Sequence, residues 1–155
     1  MPVTFYLRQE SFARADSILF EDETGAVRFS AKGLLRLRDG CAVLSDETGG
    51  EIARISRGGS FLVPRFGIDL KEESAVLSRR FSPFKQEYRL EPQGWSVCGD
   101  LFSRSFSVSG GEELADIVLG GKPRVRILRE GGEALILSIA LILLSQARES
   151  GRAAV

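Results

Sequence analysis

The four residues Asp22-Glu23-Thr24-Gly25 recur as Asp46-Glu47-Thr48-Gly49, 24 positions further along the chain. Apolar residues precede each copy and a partly alternating stretch follows it, which is the pattern of two strands joined by a tight turn. In such a turn, the leading aspartate bonds to the backbone two residues on, and the closing glycine adopts the left-handed conformation. The repeat therefore predicts two β-hairpins with the same turn.

The strand–turn–strand pattern continues in weaker form along most of the chain. Weaker copies surround the turns at 71–74, 91–94 and 109–113, and further strands are predicted at 5–9 and 124–128. Together these segments make about twelve strands, with the spacing of roughly 8–12 residues that is typical of an all-β barrel or sandwich.

The segment 133–148 breaks this pattern, because it contains neither turn residues nor alternation. Glu133 begins it and Arg148 ends it, an arrangement that suits the dipole of a helix. The helix is apolar on every side, so it must be buried in protein or inserted in a membrane. Its apolar stretch, 134–144, is shorter than the ~18–20 residues that span a bilayer, which favours burial.

A barrel that encloses this helix accounts for both patterns. A closed barrel of about eight strands is filled by its own side chains, whereas larger barrels enclose additional space. A helix with its side chains is about 10 Å across, and a barrel of about twelve strands has room for it. The predicted fold class is therefore mainly β, an antiparallel closed barrel of about twelve strands that encloses one hydrophobic C-terminal α-helix. We expect a single domain over residues 1–155, with the barrel at about 5–130 and the helix at about 133–148.

The composition excludes several classes of function. The chain has 155 residues, 21 basic and 21 acidic side chains, and no histidine. Without histidine there is no Ser-His-Asp or Cys-His nucleophile, no His-liganded zinc and no imidazole switch near neutral pH. A net charge of zero argues against nucleic-acid binding, whose affinity comes largely from phosphate neutralisation. Phosphate-loop, dinucleotide-binding and hydrolase-elbow motifs are absent, so we predict no catalytic residue and no cofactor.

We expect the cysteines and the acidic turn residues to have structural roles. Cys41 and Cys98 are too few for a zinc site made of cysteines, and we expect each to be a small apolar residue in the core. The alternative is a disulfide or a reactive thiol. The acidic pairs at 22–23 and 46–47 are candidates for acid–base chemistry or calcium binding. Their place in the turns already accounts for them, and the spacing of an EF-hand is absent. We therefore predict no metal site.

Two further blocks stand out beside the hairpins and the helix, namely Phe84-Lys85-Gln86-Glu87-Tyr88 and Gly94-Trp95-Ser96-Val97-Cys98-Gly99-Asp100. In this order, the features resemble the LURP-one-related proteins, whose fold is that of the Tubby C-terminal domain and is shared by the phospholipid scramblases. The resemblance covers nearly the whole chain, from about Phe5 to Arg148. It implies a barrel of about twelve antiparallel strands around a central C-terminal helix. Because Tubby domains bind phosphoinositides through a basic pocket, it also implies a lipid-binding hypothesis, without locating the site.

Basic side chains are the residues to which an anionic headgroup would bind. The candidates for an anion- or lipid-binding site are Arg36, Arg38, Arg79, Arg80, Lys122, Arg124 and Arg126. Residues two apart share one face of a strand, whereas the adjacent Arg79 and Arg80 point to opposite faces unless a turn intervenes. The alternative is that these charges only solvate the outside of the barrel. A site requires that three or four of them converge in space.

The expected function is that of a non-enzymatic binding or scaffold domain that recognises anionic phospholipid headgroups at a membrane surface. One alternative is a protein-interaction module without a lipid role, which would show an exposed aromatic patch around Phe81, Phe84 and Tyr88. Another is a scramblase-like protein anchored in the membrane by its terminal helix. The expected partners are an anionic phospholipid or a protein, with no nucleic acid and no transmembrane span. The N-terminus lacks the pattern of a signal peptide, so we expect the chain in the cytoplasm or peripheral at the membrane. We also expect it to be a monomer.

Overall fold

The repeated hairpins form part of a continuous antiparallel meander. In a computed structural model of the chain, the described residues are 2–12, 15–33, 40–59, 63–80, 85–100 and 104–153, and they form twelve strands and one helix. The strands are β1 (Val3–Phe12), β2 (Ala15–Glu21), β3 (Val27–Gly33), β4 (Cys41–Asp46), β5 (Glu51–Gly59), β6 (Pro64–Asp69), β7 (Ser74–Arg80), β8 (Lys85–Glu91), β9 (Trp95–Asp100), β10 (Ser105–Ser109), β11 (Glu113–Val118) and β12 (Arg124–Ile127). The helix is α1 (Glu133–Ala153).

The sheet closes on itself. Each strand pairs with the next one along the chain, and β1 pairs antiparallel with β12, with Val3 opposite Ile127 and Tyr6 opposite Arg124. Closure of this kind pairs the first strand with the last, so the sheet does not end on an open strand. The predicted antiparallel closed barrel is confirmed.

Side chains alternate between the lumen and the outside, because a strand has a period of two residues. In β12, Val125 and Ile127 are buried, whereas Arg124 and Arg126 are exposed. The wall therefore has an apolar inner surface and carries charge on its outer surface.

The helix lies in the lumen. Every side chain from Leu135 to Leu144 is buried, and these consecutive positions cover the whole circumference of the helix. Only a surrounding wall can cover all sides of a helix, and its side chains form one core cluster with the inward residues of the strands. The polar residue in this stretch, Ser138, donates its hydroxyl to the carbonyl oxygen of Ala134 at 2.7 Å. Within the described part of the chain, no helix combines the length and the hydropathy needed to traverse a bilayer.

The two ends of the barrel carry different connections. The turns β2–β3, β4–β5, β6–β7, β8–β9 and β10–β11 lie at one end, because successive strands are antiparallel. The helix enters the lumen at this end, since β12 stops there at Ile127 and the helix begins at Glu133. We call it the helix-entry end. The β11–β12 connection, which contains Lys122, lies at the opposite end.

Two sequence-based expectations differ from the structure. Cys41 and Cys98 are exposed and unpaired, not buried in the core. They occupy outward positions, because the residues that alternate with them, Ala42 and Val97, take the inward ones. The helix continues to Ala153, beyond the predicted end at 148.

Candidate functional site

The first Asp-Glu-Thr-Gly turn is organised by one carboxylate oxygen. Oδ1 of Asp22 accepts the backbone N–H of Thr24 at 2.9 Å, the hydroxyl of Thr24 at 2.5 Å and the N–H of Ala26 at 3.1 Å. The turn closes with Gly25 at a φ of 88°, a conformation that suits glycine because a Cβ is unfavourable there. The turn chemistry expected from the sequence is therefore present.

The second turn repeats this network. Oδ1 of Asp46 accepts the N–H and the hydroxyl of Thr48 at 3.0 and 2.6 Å, and the N–H of Gly50 at 2.9 Å. Gly49 has a φ of 87°. The hydroxyl of Thr48 and the backbone N–H groups lower the pKa of Asp46 below its ordinary value of 3.8. The same four residues thus build the same turn at two places in the barrel.

Arg28 connects the two turns. Its Nε donates to Oδ2 of Asp22 and its Nη1 donates to Oε2 of Glu47, both at 3.0 Å. These carboxylates raise the pKa of Arg28, with the hydrogen bond to Glu47 as the larger cause. The pKa of Asp22 falls to about 2, first because it accepts the hydroxyl of Thr24, and in smaller part because of Arg28. Asp22 is therefore ionised well into the acidic range.

A cleft of about 590 Å³ opens at the helix-entry end, between these turns and the start of β1. Its floor is apolar and consists of Pro2, Val3, Phe5 and Phe29. The rings of Phe5 and Phe29 pack edge to face, with centroids 5.5 Å apart and planes at 83°. Phe5 belongs to the barrel core and the half-buried Phe29 packs against that core, so the base of the cleft is held by core packing.

The rim of the cleft is acidic. It carries five carboxylates and one guanidinium, from Asp22, Glu23, Asp46, Glu47, Glu133 and Arg28. Five negative charges against one positive charge give the lining a formal charge of −4. Within the described ranges, no group of three or more potential ligands has an arrangement that could hold a metal ion. The cleft repels anions and attracts cationic groups.

The start of the helix positions Glu133 on this rim. The preceding Gly132 lies under the indole of Trp95, where an added Cβ would be 2.7 Å from Cη2 of the ring. The carbonyl oxygen of Gly132 accepts the N–H of Ile136 at 2.9 Å, which begins the helix. Trp95 therefore packs against the backbone one residue before Glu133, at the start of the helix.

Three of the predicted anion-site residues lie together on the outside of the barrel. Arg124 and Arg126 are exposed on β12, and Nη1 of Arg124 donates to the carbonyl oxygen of Lys122 at 3.4 Å. The ammonium of Lys122 lies 4.6 Å from the ring centroid of Tyr6 on β1. None of the three cations forms an ion pair with another described residue, although Asp116 lies opposite Arg126 on β11. We call Lys122, Arg124, Arg126 and Tyr6 the β12 face.

The remaining candidates do not join this face. Arg79 and Arg80 end β7, and the strands β8 to β11 separate β7 from β12. Both are exposed, although the register of β7 places Arg79 on the inward side at the end of the barrel. Arg36 and Arg38 lie outside the described residues. Of the described candidates, the structure thus brings together Lys122, Arg124 and Arg126, and places the other two on a distant part of the wall.

The aromatic patch expected near residue 88 is not present at Tyr88. This side chain is 3% exposed and belongs to the core, because it occupies an inward position on β8. Burial raises the pKa of its hydroxyl, against a smaller opposing effect of Arg79. Phe81 and Phe84 lie outside the described residues. Tyr88 therefore cannot contribute to an exposed docking surface.

Sequence reasoning assigned the acidic residues to the turns and missed the cleft between them. The repeat itself carried a usable signal, since consecutive hairpins of an antiparallel meander place their turns at the same end of the barrel. Two turns with the same charge then lie side by side. The pattern does not indicate that Arg28 reaches both of them, or that Phe29 closes the base of the space between them.

Comparisons with known proteins agree with the observed fold. A family model described as LURP-one-related matches residues 3–143. An X-ray structure of a protein from Arabidopsis thaliana aligns with a TM-score of 0.67 and 16% sequence identity, over 95% of this chain and 91% of that chain. At this identity the likeness shows the fold alone, and comparison with curated proteins gives no match. Because the family model spans far more than half of its length, the chain belongs to the LURP-one-related family.

Proposed function

We propose that the domain is a non-enzymatic binding module that attaches to anionic phospholipid headgroups through the β12 face, as a monomer on the cytoplasmic surface of a membrane. The observation that carries this proposal is the group of Lys122, Arg124 and Arg126, three cations without an ion-pair partner among the described residues. The LURP-one-related family is not a known enzyme family, which favours a binding role.

The spacing on β12 suits contact with several headgroups at once. Residues two apart on one face of a strand are separated by about 6.6 Å, so Arg124 and Arg126 present neighbouring charges to the same surface. A cation near an anionic leaflet contributes about 1 kcal/mol to attachment. Arg126 lies close to an acidic pair: the hydrogen bond with Asp116 raises the pKa of Glu113, and the charge of Arg126 lowers it to a smaller extent, so part of the field of Arg126 is offset. Lys122 and Arg124 are therefore expected to contribute most.

Tyr6 gives this face an amphipathic element. Its ring lies under the ammonium of Lys122, so an aromatic surface and a cation are presented side by side. Tyrosine favours the membrane interface, where one part of the ring is in an apolar environment and the hydroxyl is hydrated. The combination supports a shallow contact with headgroups and does not require insertion of the chain.

Co-sedimentation with vesicles tests the proposal. The chain is mixed with vesicles of phosphatidylcholine alone and with vesicles that also contain phosphatidylserine, at low and high salt. Wild type is expected to bind the anionic vesicles only, with a loss at high salt because the attraction is screened. The double variant Lys122→Ala with Arg124→Ala should bind about thirtyfold more weakly, since each cation contributes about 1 kcal/mol.

The matched control is Arg79→Ala with Arg80→Ala, which removes the same charge from a distant part of the wall. It should bind nearly as well as wild type. Equal losses in the two double variants would mean that only net charge matters, and the β12 face would not be the site. Equal binding to neutral and anionic vesicles would rule out headgroup recognition.

A further inference from the structure

The cleft at the helix-entry end combines an apolar base with an excess of negative charge. Within its apolar floor, Val3 remains 41% exposed and Phe29 is half-buried. The volume of about 590 Å³ lies in the range of about 300–1,000 Å³ found for ligand sites, so it can admit a few side chains of a partner. No residue of the β12 face lines the cleft, so the proposed headgroup contact does not use it.

Two carboxylates on the rim are available to a ligand. Glu23 and Glu133 make no hydrogen bond or ion pair with another described residue. Arg28 neutralises only part of the remaining charge, since it is shared between Asp22 and Glu47. The rim therefore keeps a local negative field even though the whole chain is neutral.

The rim is also held in place before any ligand arrives. Each turn is closed by three hydrogen bonds to one aspartate oxygen, and Arg28 joins the two turns to each other. A site that is already ordered loses less conformational entropy on binding. Preorganisation of this kind favours recognition of a ligand by the geometry of its charge.

The chemistry of the cleft identifies the class of ligand. An anionic group is repelled, and the described acidic residues do not form a metal cluster. The start of β1 at the cleft is paired with β12, and the lining side chains offer a peptide both charge and apolar contacts, so we expect recognition through its side chains. An Arg or Lys side chain fits both surfaces, because its aliphatic stem can lie on apolar residues while its head meets carboxylates.

We propose that the cleft docks a short segment of a partner protein in which an Arg or Lys stands next to an apolar side chain. The basic head lies between Glu23 and Glu133, and the apolar side chain contacts Val3 and Phe29. Charge complementarity selects the segment, and the apolar base distinguishes it from a simple polycation.

Selection from a displayed library of random peptides of about nine residues tests this proposal, because it works even though the partner protein is unidentified. The folded full chain is the target. Selected peptides should be enriched in Arg or Lys adjacent to Leu, Ile or Phe. A labelled copy of the most enriched peptide is then titrated with the chain by fluorescence anisotropy, and binding should weaken as salt is raised.

Two pairs of variants locate the contact. Glu23→Lys on the rim should weaken binding of the selected peptide about tenfold, whereas Glu72→Lys, an exposed glutamate in the β6–β7 turn at the same end, should change it less than about twofold. Val3→Ser should weaken binding by roughly threefold, whereas Val76→Ser, at a valine of similar exposure on β7, should not. Thermal melting of each variant confirms that it is folded.

Several results would overturn the proposal. One is a library with no enrichment, or with enrichment of acidic peptides. Another is a loss with Glu72→Lys as large as the loss with Glu23→Lys, which would show an effect of net charge. Binding of spermine with the same dependence on Glu23, but without any peptide binding, would assign the cleft to a small polycation instead.

Discussion

The two Asp-Glu-Thr-Gly hairpins share a sequence and a backbone geometry but differ in their surroundings. Asp22 and Asp46 accept the same three hydrogen bonds within their turns, and the two closing glycines have φ values of 88° and 87°. Only Asp22, of the two, has its second oxygen bound to Arg28, and its pKa falls to about 2. The four residues determine the conformation of the turn. Arg28, in the strand that follows the first turn, determines its link to the neighbouring turn.

This difference separates local from tertiary causes. Thr24 and Thr48 act on their own aspartates through bonds that a short peptide could form. Arg28 acts across two hairpins, because its side chain reaches Glu47 from the neighbouring turn. The first hairpin is therefore linked to the second through one side chain.

The largest expected effect is common to both hairpins. Gly25→Ala and Gly49→Ala place a Cβ at positive φ, which costs about 1–2 kcal/mol in each case. No atom lies within 4 Å of either added Cβ, so the cost is backbone strain alone and should be the same in the two turns. Urea denaturation measures the free energy of unfolding. A clear difference between the two variants would show that the turns are not equivalent in conformation.

Acidification should distinguish the two aspartates. Because the pKa of Asp22 is about 2 in the folded chain and 3.8 ordinarily, the unfolded chain binds more protons in this interval, and the free energy of unfolding rises with pH. Stability from Asp22 is complete above pH 3.8 and is lost as the pH falls through about 2. Asp22→Asn should flatten this dependence more than Asp46→Asn, because Asp46 has no bond from Arg28. Equal slopes for the two variants would contradict the role given to Arg28.

Direct titration of the carboxyl groups by NMR sharpens the assignment of causes. Thr24→Val removes the largest contribution and should raise the pKa of Asp22 strongly. Arg28→Ala should raise it less and should leave the pKa of Asp46 unchanged, since Arg28 does not contact that residue. The local assignment is wrong if Arg28→Ala has the larger effect on Asp22.

Much of the fold is predictable because its signals are local. The turn residues and the period-two alternation indicate the strands, and the stretch from Leu135 to Leu144 indicates a helix that needs cover on all sides. The prediction that Cys41 and Cys98 lie in the core was wrong. Cysteine is apolar on average, but the register of the strand decides which face it occupies. A shift of one position in a strand reverses that outcome.

The candidate sites are less predictable because they depend on which strands become neighbours. Lys122, Arg124 and Arg126 are close in sequence, and their grouping follows from the β11–β12 connection. Arg79 and Arg80 look similar in sequence but lie several strands away. Tyr6 joins the β12 face only because the first and last strands pair, which no short-range pattern indicates.

The smallest expected effect tests whether the second turn can be converted toward the first. The position four residues after the aspartate is Ala26 in the first turn and Gly50 in the second, and Gly50 does not have positive φ. An added Cβ at Gly50 would lie 3.4 Å from both carboxylate oxygens of Asp46, which is close to an ordinary contact. Gly50→Ala should therefore stabilise the chain by about 0.4–1 kcal/mol, because alanine restricts the unfolded chain without straining the folded one.

Gly49→Ala is the matched control for Gly50→Ala, since it adds the same methyl group one residue earlier at positive φ and should destabilise. If Gly50→Ala also destabilises, the carboxylate of Asp46 cannot move to accept the methyl group. The second turn would then be tighter around its aspartate than the first, which already carries alanine at this position. The shared motif would in that case specify the hydrogen bonds but not the space around them.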